Sequence, residues 1–161
     1  MSDWATTGKN PGNERHIITS LYLDSKKMEE HNIHLQKKYK KMEEDIMFER
    51  TMCDDAEYLM VAFGSTARIC QKALEILRSK GIKVGLLRPI TLFPFPKNEI
   101  NKLSGQVKGI LTVEMNAGQM LEDVLLASMG KTKVEFYGRF GGMVPAPDEI
   151  VNALQEKLIG G

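Results

Sequence analysis

Residues 57–89 read EYLMVAFGSTARICQKALEILRSKGIKVGLLRP. The apolar run at the front, EYLMVAFG, has the length and composition of a buried strand. Gly64, Ser65 and Thr66 then turn the chain into a helix whose core face is Cys70, Ala73, Leu74 and Leu77. Gly81 is placed to end that helix, and IKVGLLRP makes a second strand, stopped by Pro89. Strand, helix and strand in this order form a crossover unit, which joins parallel neighbours.

Downstream the pattern repeats. LFPFPKNEINKL reads as an irregular turn and a short helix, and GILTVE as a third strand. A helix from about Ala117 to Met129 follows, built on Met120, Leu121, Val124 and Leu125. KVEFYG is a fourth strand, and Pro147, Asp148 and Glu149 open a last helix carrying Ile150, Val151, Leu154 and Leu158. IMFERT, residues 46–51, is a candidate edge strand. The expected fold class is α/β, a three-layer α/β/α sandwich around a mostly parallel sheet.

Upstream the character changes. Residues 24–46, DSKKMEEHNIHLQKKYKKMEEDI, form one long helix with Met28, His31, Leu35, Tyr39, Met42 and Ile46 in a single stripe. Asp24 or Ser25 can cap its first turn. Lys37, Lys38, Lys40 and Lys41 lie largely off the stripe and read as a solvated face rather than a phosphate patch. His31 and His34 stand one turn apart, but no third metal ligand accompanies them, so His31 reads as an interface residue. Residues 1–16 are polar and rich in turn formers; they carry Trp4, the one Trp of the chain. That ring either meets something beyond the arm or folds back on its own domain. The expected division is an arm and lead-in helix at 1–46 and an α/β domain at 47–161.

Composition sets limits on function. With 22 Lys+Arg against 21 Asp+Glu in 161 residues, no global charge favours nucleic acid or an acidic membrane. The sequence has no apolar run near membrane-spanning length and reads as a soluble, cytoplasmic protein. Its two cysteines, Cys53 and Cys70, form no CxxC pair and cannot hold an iron–sulfur cluster alone.

In an open parallel sheet, ligands favour the carboxyl edge of the strands. Ser65 and Thr66, Arg88, Glu114 with Asn116 and Gln119, and Arg139 all arrive there, and are expected to form one assembly or ligand rim. A catalytic reading makes Glu114 a general base and the arginines anion clamps. A binding reading sets a phosphate on Ser65, Thr66 and the helix start beside them, although GxGxxG and the P-loop Lys are both missing. A structural reading pairs Glu114 with Arg88 or Arg139 and uses Ser65 and Asn116 as helix caps. The structural or interface reading is preferred. On such a rim, water can solvate Glu114, and Glu114→Ala in the domain alone should cost about 1 kcal/mol or less.

The segments VAFGSTARICQKALEILRSKGIKVGLLRPITLFPFP, TVEMNAGQMLEDV and FYGRFGG with PAPDEI resemble, as a set, the C-terminal, transketolase-C-like domain of the α chain of 2-oxoacid:ferredoxin oxidoreductases. ITSLYLDSKKMEEHNIHLQKKYKKMEED resembles the helical lead-in to that domain, so the likeness covers residues 17–158. It is greatest for the form acting on 2-oxoisovalerate (3-methyl-2-oxobutanoate). Relatives such as transketolase and 2-oxoacid dehydrogenase β chains usually end the corresponding strand in two acids. Here Glu114 is followed by Met115 and Asn116, which favours the ferredoxin-linked branch.

The resemblance implies a reaction: 2-oxo acid, coenzyme A and oxidised ferredoxin give acyl-CoA, carbon dioxide and reduced ferredoxin. Thiamine diphosphate with Mg, and iron–sulfur clusters, serve the whole enzyme. Neither a GDG-type pyrophosphate motif nor a cysteine cluster occurs in this sequence. The chain is therefore expected to be a fragment that binds no cofactor or metal, contains no catalytic residue, and serves structure and assembly. Its implied partners are an N-terminal pyrimidine domain of the same chain, β and other subunits, and, for the whole enzyme, ferredoxin and coenzyme A. The alternatives are the C-terminal domain of a 2-oxoacid dehydrogenase β chain or transketolase-like enzyme, and a free-standing small-ligand-binding α/β module.

Overall fold

The computed structural model describes residues 20–160, together with Gly8 and Gly12. Trp4 lies outside the described residues. The chain divides into two units, Met1–Lys40 and Lys41–Gly161.

Helix α1 (Ser25–Met42), whose last two residues belong to the second unit, begins at Asp24, whose Oδ1 accepts from the amides of Lys26 (2.9 Å) and Lys27 (3.2 Å). Asp24, not Ser25, is thus the cap. The helix stops at Met42, short of the expected Ile46, and tightens into a 3-10 turn, Glu43–Asp45. Ile46 is extended, at φ −61° and ψ 123°. His31 stacks on Tyr22 with ring centroids 4.8 Å apart. No residue of α1 is buried.

The second unit is built on five strands: β1 (Phe48–Thr51), β2 (Tyr58–Val61), β3 (Val84–Pro89), β4 (Gly109–Glu114) and β5 (Lys133–Gly138). Their order is β1-β3-β2-β4-β5, and only β1 runs antiparallel to its neighbour. Helices α2 (Gly64–Ser79) and α5 (Pro147–Leu154) pack on one face; α3 (Lys97–Ser104) and α4 (Gln119–Ser128) pack on the other. This is the three-layer sandwich expected from the sequence, with IMFERT as the antiparallel edge.

Strand alternation builds two cores. Leu111 and Val113 of β4 face α2 and α5, with Met60, Leu74 and Leu77. Ile110 faces α3 and α4, with Leu59, Leu87 and Leu103. Each fully buried side chain of this size contributes roughly 1.5–3 kcal/mol. At the end of α2, Gly81 takes φ +79°, its amide bonds the Arg78 carbonyl, and the Ile82 amide reaches the Leu77 carbonyl. This is the left-handed helix stop read from the sequence. One expectation fails: α4 buries Met120, Val124 and Ala127, and Leu125 is exposed. At 100° per residue, Leu125 sits beyond the inner arc that those three define.

Candidate functional site

The chain leaves β2 toward β3 on one side and returns to β4 on the other, so the sheet changes direction between β2 and β4. The loops 62–63 and 115–118, with the first turn of α2, flank that switch point, where open α/β sheets place their ligands.

Glu114, the last residue of β4, is fully buried. Its Oε2 accepts from Asn116 Nδ2 (3.0 Å) and the Met120 amide (2.8 Å), and its Oε1 from the Leu121 amide (2.9 Å). Asn116 Oδ1 takes the amides of Gly118 (2.7 Å) and Gln119 (3.0 Å). The four amides that open α4 are therefore all satisfied, at the end where a helix best tolerates negative charge. Gly118 makes the approach at φ +106°. A strand delivers an acid and an amide to one corner here in order to start a helix.

The arginines lie elsewhere. Arg88 Nη1 donates to Glu49 Oε2 at 2.9 Å, across the β1–β3 pair. Arg139 Nη1 donates to Glu149 Oε1 at 2.9 Å, and Glu149 Oε2 also accepts the Ala146 amide at 2.8 Å. That amide, the Tyr137 hydroxyl and the Arg139 guanidinium hold the Glu149 carboxyl below its ordinary range. Burial and the neighbouring Glu149 push the Tyr137 hydroxyl up.

The expected single rim does not form, and the reason is the pleat. Arg88 shares its face of the sheet with Val84 and Leu86, and Arg139 shares its face with Tyr137, all on the α2/α5 side. Glu114 shares its face with Ile110 on the α3/α4 side. Glu114 therefore pairs with neither arginine. Ser65 is exposed and Thr66 buried in the first turn of α2, whose N-cap is Phe63 with no side-chain cap bond. Ser65 is thus not the expected cap, whereas Asn116 does bind helix-start amides. The side chain of Gln119 is exposed.

Sequence reasoning missed what covers this edge. Ile90, Leu92 and Phe93 follow β3, Met115 follows β4, and Phe140, Met143 and Val144 follow β5, all 37–64% exposed. Met47, before the antiparallel β1, joins them at the same end. The signal was in the sequence, as apolar residues set among the Pro and Gly of ITLFPFP and FGGMVPA. An apolar rim around charged groups that each have a partner within the domain suits a protein surface better than a small polar ligand.

The groups the resemblance implies need clustered thiolate or carboxylate donors. Cys53 and Cys70 are both buried, in core clusters on opposite faces of the sheet. Among the described residues no three His, Cys, Asp or Glu side chains gather in a metal-holding group. These residues do not fit an iron–sulfur cluster or a metal–pyrophosphate cradle. A cavity of about 650 Å³ runs along α1, lined in part by Tyr22, Met28, Ile33 and Lys37, and contains none of the expected site residues.

Fold and edge together define an open, mostly parallel α/β domain of the transketolase C-terminal type. Its backbone matches a split-gene transketolase described as an inactive β4 tetramer at TM-score 0.56 and 17% identity, over 68% of this chain and 41% of that one. It matches the 2-oxoglutarate:ferredoxin oxidoreductase of Magnetococcus marinus at TM-score 0.72 and 23% identity, over 98% of this chain and 28% of that one. Residues 56–150 match the family model of pyruvate:ferredoxin oxidoreductase core domain II, and the chain belongs to that family. It is 41% identical over 156 residues to the ketoisovalerate oxidoreductase subunit VorB of Methanothermobacter thermautotrophicus. That match covers 96% of this chain and 44% of the relative, so the chain spans less than half of the relative's length.

Proposed function

We propose that this chain supplies core domain II of the α-type subunit of a thiamine-diphosphate-dependent 2-oxoacid:ferredoxin oxidoreductase, acting on 2-oxoisovalerate. The whole enzyme would convert the 2-oxo acid, coenzyme A and oxidised ferredoxin into acyl-CoA, carbon dioxide and reduced ferredoxin. Thiamine diphosphate, Mg and iron–sulfur clusters would be held by other parts, among them a pyrimidine-binding domain and a β-type subunit. The domain's own task is structure and assembly through its carboxyl edge, in the cytoplasm; no helix among the described residues is long and apolar enough to cross a membrane.

The substrate reading is supported by 41% identity to a ketoisovalerate oxidoreductase subunit over nearly the whole chain. The assembly reading is carried by one observation: the edge where ligands usually bind presents apolar loops, while Glu114, Arg88 and Arg139 already have partners within the domain.

Reconstitution tests both. Combined with the pyrimidine-binding and β-type parts, the chain should co-sediment and restore ferredoxin reduction dependent on coenzyme A and 2-oxoisovalerate. Phe140→Asp should weaken co-sedimentation tenfold or more with unchanged melting of the free chain, about 1.4 kcal/mol or more. A Phe140→Asp enzyme that assembles fully but does not turn over would overturn the assembly reading. Preference for 2-oxoglutarate would overturn the substrate reading. Titrated alone with thiamine diphosphate and Mg²⁺, the chain should show no saturable micromolar site.

A further inference from the structure

Helix α4 is apolar on two sides. Its inner arc, Met120, Val124 and Ala127, joins the core. On the outer arc Leu125 is 47% and Leu126 69% exposed, and Met129, one residue past the helix, is 77% exposed. At 100° per residue, Leu125 and Leu126 straddle the direction opposite the core, where a surface helix ordinarily carries charge. Large apolar groups clustered there mark a contact.

The charges beside this strip are segregated by sign. Glu122 and Asp123 lie a turn before Leu126, on the first half of α4. Lys131 lies two residues past Met129, and Lys102 lies in the last turn of α3, the neighbouring helix on the same face. Among the described residues, Glu122, Asp123 and Lys102 take part in no ion pair. Lys131 Nζ donates to neutral acceptors, Asn101 Oδ1 at 2.6 Å and Asn101 O at 3.3 Å. The arginines of the carboxyl edge, by contrast, are neutralised within the domain.

We propose that this strip is the contact for a second copy of the chain, with α4 packed antiparallel on its counterpart about a two-fold axis between Leu125 and Leu126. A two-fold contact must be complementary to itself. Positions 122 and 129 are symmetric about that axis, so Glu122 of one copy meets the turn carrying Met129 and Lys131 of the other. The same happens at both ends, and the leucines close the centre. Parallel packing would set acid against acid and lysine against lysine. A helix of ten residues spans about 15 Å, so the interface is small and the dimer weak, half-formed near roughly 0.1 mM. The inference rests on α4 alone, independent of the carboxyl edge and of the oxidoreductase reading.

Sedimentation equilibrium of the full chain tests it. A monomer–dimer equilibrium is expected, with Leu126→Asp raising the dissociation constant at least about tenfold and leaving the melting temperature unchanged. Glu122→Lys and Lys131→Glu should each weaken the dimer, and the two together should restore it. A second, covalent reading uses Leu126→Cys, which should form an intermolecular disulfide on mild oxidation. A chain that stays monomeric up to roughly 1 mM, a dimer indifferent to Leu126→Asp, or charge reversals that fail to rescue each other would overturn the proposal.

Discussion

Helices α1 and α2 are close in length, 18 and 16 residues, and both carry an apolar stripe at helical spacing. Yet α2 buries Thr66, Ala67, Cys70, Ala73, Leu74 and Leu77, whereas α1 buries nothing. The contrast teaches that a stripe specifies a helix and a direction to face, but supplies nothing to face. Helix α2 has a sheet beneath it because it is the crossover between β2 and β3; α1 is no part of a crossover.

Hydrogen exchange should show the contrast at its largest. The amides of β2 and β4 should open only with global unfolding, at several kcal/mol, while those of α1 exchange through local openings costing about 1 kcal/mol or less. Equal protection of α1 in a monomer would break the comparison. Truncation comes next. Leu77→Ala should lower the unfolding free energy by about 2–5 kcal/mol, because it leaves a cavity in a closed core. Leu35→Ala on α1 should cost under about 1 kcal/mol in the same denaturant titration, as surface substitutions do.

Glu114→Ala should fall between the two. The rim expected from the sequence would have made this change almost free. The carboxylate is instead buried with three N–H donors, so its removal strands helix-start amides and should cost roughly 2–4 kcal/mol. A loss below about 1 kcal/mol would mean that water reaches the start of α4.

The smallest effect belongs to the exposed end of the site. Glu149 is held below its ordinary value of 4.5, chiefly by the Ala146 amide. A depressed carboxyl contributes stability that is present above its ordinary value and is lost as pH falls through the folded one. Glu149→Gln should therefore flatten the acid side of the melting-temperature profile and change little at neutral pH. Burial alone pushes the Cys70 thiol up to about 12. Thiol reagents should then label it only at the rate of global opening, a check on which core stays shut.

Much of this was legible from local pattern. Gly81 marks a left-handed helix stop wherever it is packed, and the apolar run of GILTVE needs cover on both faces. The site was legible only in part. Asn116 was legible as a helix cap; Glu114 acts just as locally, so a reading of TVEMNAGQM as a helix start could have found its role too. Leu125 misled because, with Leu121 and Leu126, it satisfies a helical period on more than one face.

The sequence by itself determined which segments are strands and helices, which residues of α2 and α5 face inward, and that the sheet is mostly parallel. Those properties follow from periodicity and from the crossover rule, and both act over short stretches of chain. Only the tertiary structure decided that Glu114 and the two arginines stand on opposite faces, that the carboxyl edge carries apolar loops, and that no residue of α1 is fully buried. The physical reason is that a side chain's partner is set by the packing of elements distant in sequence, and by a pleat whose phase turns on a single residue.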